Sequence, residues 1–337
     1  MIRKKLITVS KTRSSLSLML AATAFMLFTG INVNATATMH AAVIVNGKVE
    51  MQDVPIPDPQ PGQVRIKVHA VGVNPVDWKL AAFNRGPGVR IAGRDLAGVI
   101  DAVGPATDGW RVGDAVIGVA ARESGSYAEY ALASVKSIAH KPANMSFVEA
   151  AGMPVVGETA WRAIVTVGNV QPGQKVLIHG GAGGVGSSAV QIAKARGAYI
   201  IATASPRNSD FLKSLGVDRV IDYHTTQFED VVSGMDLVLN TVKPDYNDRS
   251  INVLKPGGIL ISIVGPPPAQ KCAAAHVRCG VTGLATGEML PHVVKLANDG
   301  KFHIHIDRKL PLEQANTAWD LNRAGHTRGK IILVVSH

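Results

Sequence analysis

Cysteine is nearly absent from this 337-residue chain, which holds only Cys272 and Cys279. Two thiols cannot build a four-ligand structural zinc site, and no C-x-x-C occurs. The pair could bond in an oxidising compartment, but they read as a loop thiol and a strand thiol that stay apart. Aromatic residues are also sparse, at 5%, and no basic cluster is interleaved with them, which argues against nucleic acid as a partner. Acidic residues are missing from the first 37 positions, where Arg3, Lys4, Lys5, Lys11 and Arg13 supply half of the formal charge of +10. Long apolar runs are missing too. Leu16 to Phe28 is short for a bilayer span, and with the basic start and Ala35-Thr36-Ala37 it matches a secretory signal over residues 1–37. The expected product is exported, begins at Thr38 and has no stable membrane span. A second reading starts translation at Met39 and gives a cytoplasmic protein, since MHAAVIVNG would serve as a first strand.

Glycine, by contrast, is concentrated. Val176, Leu177 and Ile178 read as a buried parallel strand that runs into HGGAGGVG, in which Gly181, Gly183 and Gly186 form a G-x-G-x-x-G. Val185, Ala189, Ile192 and Ala193 then recur at helical spacing up to Gly197, and a second β-rich run follows from Tyr199 to Thr203. In this strand–turn–helix setting the glycines let the backbone approach a pyrophosphate, and the helix N-terminus meets its charge. Gly181, Ala182, Gly183, Gly184, Val185 and Gly186 are therefore expected to hold a dinucleotide. An acid at the end of the second strand would select the 2′-hydroxyl of NAD, but Ala204, Ser205, Pro206, Arg207 and Asn208 stand there. Ser205 and Arg207 suit a 2′-phosphate, so NADP(H) is the expected cofactor.

Before this unit, short β-rich runs are punctuated by turns: Ala42 to Val45, Val64 to Val73, Ala97 to Val103, Ala115 to Val119 and Tyr127 to Leu132. They predict an antiparallel β domain. After it, strands at Arg219 to Asp222, Asp236 to Asn240, Ile259 to Val264 and Val277 to Leu284 alternate with helices, including one at Phe228 to Val232, as in a doubly wound parallel sheet. Ligands bind at the carboxyl ends of such strands, which places Thr241, Val264 and Gly265 against the cofactor. A strand at His303 to Ile306 would put His303 and His305 on one face, but two histidines without a third ligand do not make a metal site, and none is expected.

The motifs GVNPVDWKL (72–80), AGRDLAGVI (92–100), VGDAVIG (112–118), GSYAEYA (125–131) and GETAW (157–161), ahead of HGGAGGVG, resemble the medium-chain dehydrogenase/reductase superfamily. Within it the chain is most similar to the zinc-free quinone oxidoreductases and alkenal reductases. The resemblance implies an α/β protein with a Rossmann doubly wound sheet at 159–287 and a GroES-like antiparallel β-barrel catalytic domain at 38–158 and 288–337. Zinc-dependent members of the superfamily have a cysteine and a histidine where this chain has Asn74 and Arg94, and neither replacement suits a catalytic zinc. The resemblance also implies that Thr159 lines the nicotinamide site, that Tyr223 lies near the adenosine phosphate, that Arg328 reaches the cofactor, and that the chain forms a homodimer.

Without zinc, bound NADPH can reduce an acceptor that is already electron-poor, a quinone or an α,β-unsaturated carbonyl (an enone). Asn74 is the candidate for positioning that acceptor, and Tyr127 the candidate hydrogen-bond or proton donor. Three other readings stay open: an alcohol or aldehyde dehydrogenase of the same fold using another activating group, a non-catalytic NADPH-binding protein, and a metalloprotein built on His303 and His305.

Overall fold

The computed structural model describes residues 37–83 and 89–337. The expected leader, apart from Ala37, lies outside the described residues. Fifteen strands are assigned among them: β1 Thr38–Val45, β2 Lys48–Pro55, β3 Gln63–Gly72, β4 Asp95–Val103, β5 Ala115–Val119, β6 Tyr130–Ser134, β7 Ile138–His140, β8 Lys175–His179, β9 Tyr199–Ala204, β10 Arg219–Asp222, β11 Met235–Asn240, β12 Leu254–Ser262, β13 Arg278–Val281, β14 Ile306–Pro311 and β15 Lys330–Val334.

The chain is an α/β protein with two main sheets. One has six parallel strands in the order β10-β9-β8-β11-β12-β13. Its middle strand β8 has Val176, Leu177 and Ile178 fully buried, each worth about 1.5–3 kcal/mol relative to exposure. That is why it reads as an unbroken apolar run rather than an alternation. The chain leaves β8 toward β9 and β10 on one side and returns to β11, β12 and β13 on the other, so the topological switch point lies between β8 and β11.

The other sheet runs β14-β15-β3-β4-β5-β7, with β6 also paired to β3. It is antiparallel except for the pair β14–β15. Segments on both sides of the six-stranded sheet in sequence build it, and the β1–β2 hairpin is bridged beside it at Ala41–Ala128 and Val43–Ile91. Its core gathers Ile66, Leu96, Ile100, Val116, Tyr127 and Trp319.

Several elements differ from expectation. The segment Phe228–Asp230 makes only a single 3-10 turn. His303 and His305 precede β14 instead of sharing a strand face. The side-chain amide of Gln191 takes both backbone groups of His303, accepting from its N–H at 2.7 Å and donating to its carbonyl at 3.0 Å, so the ladder starts only at Ile306. The cysteines also meet. Cys272, in the helix Ala269–Ala274, is disulfide-bonded to Cys279 in β13 with the Cα atoms 6.2 Å apart, correcting the expectation that they stay apart. The turn at 275–277 folds the helix back along the strand it precedes, which sequence spacing alone does not reveal.

Candidate active site

The carboxyl ends of β10, β9, β8, β11 and β12 are adjacent in register, with Asp222 beside Ala204, Thr203 beside His179, and Asn240 beside both His179 and Ser262. The residues that follow them are the expected cofactor residues: Tyr223, then Ser205 and Arg207, the glycine turn, Thr241, and finally Val264 and Gly265. The sheet thus aligns five segments far apart in sequence.

At the glycine turn, Gly180 has φ +69°, and the helix Gly184–Ala195 starts from an extended Gly183. A Cβ at Gly186 would lie 2.2 Å from the Gly180 carbonyl oxygen, and one at Gly181 would lie 2.8 Å from Ala202 Cβ. Around Gly183 the space is open, with only the Gly180 oxygen at 3.5 Å. This is a turn whose backbone can approach a pyrophosphate, with amides of an uncapped helix end beside it. The residues present fit a dinucleotide. Thr241 Oγ1 donates to the His179 carbonyl at 2.7 Å, and the Gly329 N–H donates to the Ala182 carbonyl at 2.8 Å, so the last strand's approach is fastened to the turn.

Arg328, next to Gly329, donates from Nε to Asn208 Oδ1 and from Nη2 to the Arg207 carbonyl, both at 2.8 Å. Arg207 in turn donates to the His326 carbonyl at 2.9 Å. The two expected cofactor arginines therefore meet, and together with His305, Arg308 and Asp307 they line a pocket of about 370 Å³. Tyr223 lines a different cavity, of about 140 Å³, with Thr203, Phe228, Tyr246 and Arg249. Beneath that cavity His179 is buried against Phe228 and Tyr246, and burial, aided by the Arg249 charge, lowers its pKa to about 3. Thr159 is buried in the helix Pro154–Trp161.

The surroundings of Asn74 are closed. Its Nδ2 donates to Asp95 Oδ2 at 2.9 Å and to the Gly72 carbonyl at 3.4 Å. Its Oδ1 accepts from Lys330 Nζ at 2.6 Å. Lys330 also donates to the Val73 carbonyl at 2.9 Å and to Asp95 Oδ2 at 3.2 Å, which uses all three ammonium hydrogens. Asp95 Oδ1 accepts from the Val155 N–H at 2.7 Å and so caps the helix Pro154–Trp161 from another element. All three side chains are almost fully buried. Asn74 has no donor left for a substrate, contrary to expectation.

Tyr127 is likewise inside the barrel, its hydroxyl donating to Asp77 Oδ2 at 2.9 Å. Asp77 also accepts from the Asn74 N–H at 2.8 Å, while its Oδ1 has no partner among the described residues. Burial pushes the Asp77 pKa up to about 7 and raises that of Tyr127 well above the phenol range. The donor role expected of Tyr127 is thus taken up within the core. A metal does not fit here either. The acceptor oxygens of Asn74 and Asp95 already face an ammonium, and among the described residues no group of three or more His, Cys, Asp or Glu could hold an ion.

Sequence reasoning missed Asp77, Asp95 and Lys330 as partners of Asn74. The available signal was a charge embedded in apolar sequence, Asp95 before LAGVI and Lys330 before IILVV.

Comparison with known proteins bears on the whole described chain. The profile described as an alcohol dehydrogenase GroES-like domain matches residues 60–143, and that described as a zinc-binding dehydrogenase matches 215–333. A chloroplastic quinone-oxidoreductase, QR1, from Triphysaria versicolor is 33% identical over 303 residues, covering 83% of this chain and 92% of its own. The chain belongs to the medium-chain dehydrogenase/reductase family. Two further members of the family agree. A 2-methylene-furan-3-one reductase of Solanum lycopersicum is 34% identical, covering 83% of this chain and 74% of its own. The quinone oxidoreductase structure from Coxiella burnetii superposes with a TM-score of 0.81 at 33% identity, covering 89% of this chain and all of that one. This medium-chain dehydrogenase/reductase is an oxidoreductase with a GroES-like domain and a Rossmann-type parallel sheet.

Proposed function

We propose that the chain is an NADPH-dependent reductase of quinones or α,β-unsaturated carbonyls that works without zinc. The observation that carries this reading is the Lys330 ammonium bound to Asn74 and Asp95, which fills with a lysine the place where a metal would need ligands. With no Lewis acid to polarise an alcohol, the acceptor must be electron-poor at the outset. The names of the quinone-oxidoreductase and furanone-reductase relatives support the same class. The bound cofactor supplies the hydride, and the protein supplies orientation and electrostatics.

For the cofactor, Gly181 to Gly186 would hold the pyrophosphate, with Thr241, Val264 and Gly265 on one side and Ser205 and Arg207 on the other. Preference for NADPH is supported by the absence of a carboxylate at the end of β9 and by the meeting of Arg207 with Arg328. We assign residues 159–287 to cofactor binding and 38–158 with 288–337 to catalysis. A homodimer is supported by β13, which ends the six-stranded sheet with one strand neighbour and has Val281 and Leu284 exposed nearby. Export is supported by the disulfide, a bond of oxidising compartments.

The test is oxidation of NADPH by the purified chain from Thr38 onward, with a simple quinone and a simple enal in parallel and NADH as comparison. Turnover that prefers NADPH is expected with at least one acceptor. Tight NADPH binding with neither acceptor reduced would replace this reading with that of a binding protein.

A further inference from the structure

We infer that Arg94 is the residue that holds the acceptor's oxygen, the atom on which negative charge develops during reduction. The inference rests on the reductase reading for its chemistry, but its starting point is independent. Arg94 is half-buried, and among the described residues it has no carboxylate within ion-pair distance. Its one side-chain hydrogen bond there is from Nη2 to the Ala285 carbonyl at 2.7 Å. A guanidinium has five N–H donors. Most of this fork has no partner among the described residues.

The position is fixed on every side. Gly93, at φ +90°, lies against the Tyr127 ring so closely that a Cβ would come within 2.1 Å of it. The Ala120 N–H donates to the Arg94 carbonyl at 2.8 Å, and the next residue, Asp95, is held by Asn74, Lys330 and Val155. Across from it, the strap that carries Ala285 is held by Glu158. That buried carboxylate accepts from the Thr286 N–H at 2.9 Å and from the Gly287 N–H, and Arg162 donates to the Leu284 carbonyl at 2.9 Å. Glu158 precedes Thr159 in the same helix, so Arg94 reaches from the barrel to the strap anchored beside the expected nicotinamide-lining residue.

Asn74 and Tyr127, the other donors expected here, have their hydrogens committed inside the barrel. Arg94, by contrast, keeps donors without a partner among the described residues. Hydride from NADPH delivers two electrons and one hydrogen to the acceptor, to the β-carbon of an enone, and leaves an enolate or quinol oxyanion that a solvent proton then neutralises. Arg94 donates hydrogen bonds to that oxygen and keeps its own protons, as a preorganised oxyanion donor.

The test compares wild type with Arg94→Met and Arg94→Lys in three measurements: NADPH affinity, turnover with quinone and enal, and equilibrium binding of 4-nitrophenolate, an unreactive phenolate, in the presence of NADP⁺. The inference expects Arg94→Met to keep NADPH affinity within about twofold while kcat falls about 10²- to 10³-fold, the range for losing one oxyanion donor. It also expects phenolate binding at least about tenfold weaker, with Arg94→Lys intermediate. Unchanged turnover and phenolate binding in Arg94→Met would overturn it, as would NADPH affinity falling in step with kcat, which would mark Arg94 as a clamp on the strap. If the wild type reduces neither acceptor, the reductase reading fails on its own. Phenolate binding that still depends on Arg94 would then uphold the anion site, and binding indifferent to it would remove the site.

Discussion

The glycine turn and the interior around Asn74 are built on opposite principles, although Lys330 runs between them. At the turn, the chemistry is done by backbone: glycines clear space, and amide hydrogens stay available. Around Asn74 it is done by side chains from three distant stretches, and every donor of Asn74 and Lys330 is consumed. The first region is arranged to receive a ligand. The second is arranged to hold its neighbours still. A Cβ at Gly184 would come within 3.2 Å of Lys330 Cδ, so rigidity in the second region bears directly on the first.

The comparison breaks most visibly at Gly186. With a side chain directed at the Gly180 carbonyl, Gly186→Val should lose dinucleotide binding outright and much of its soluble yield, measured by NADPH titration and thermal unfolding. Lys330→Met should follow, because it strands the buried Asp95 carboxylate; breaking such a pair costs about 3–5 kcal/mol. Replacing both partners in Lys330→Met/Asp95→Leu should recover a large part of that loss in denaturant unfolding, while the Gly186→Val defect should have no such rescue.

A smaller effect separates the two regions by pH. Asp77 titrates near 7 in the fold, against about 3.9 for an unfolded aspartate. The folded state therefore binds this proton more tightly. Its contribution to stability is fully present below about pH 4 and is lost as pH rises through about 7, a change of roughly 4 kcal/mol at most. Asp77→Asn should flatten that slope of unfolding free energy against pH and leave NADPH affinity unchanged. The smallest expected effect is at the edge of the cofactor half, where Cys272→Ala/Cys279→Ala should cost about 2 kcal/mol, from the short loop the bond closes.

How much of this was legible in the sequence follows the same division. The strand–turn–helix at Val176 to Ile192 shows in one contiguous stretch, because glycine spacing and apolar periodicity are local signals. The parallel sheet shows for the same reason. The lock on Asn74 does not, because its partners lie 21 and 256 positions away and only the folded sheets bring them together. Asn74 and Tyr127 were visible as candidates, but whether a polar side chain faces a ligand or the interior is decided by tertiary packing. The strands β2 and β7 are hidden for a related reason. KVEMQDVP alternates weakly on a hairpin with much of its surface exposed, and IAH has only three residues. His303 was misplaced because Gln191, from another element, takes its backbone bonds.

The central claim is reduction of an electron-poor acceptor without a metal, and the most direct measurement is turnover of the purified chain after exhaustive chelation, with its metal content determined on the same sample. The account predicts NADPH oxidation with a quinone or an enal at the untreated rate, in protein that contains no stoichiometric zinc. Activity lost on chelation and restored by one equivalent of zinc would contradict it.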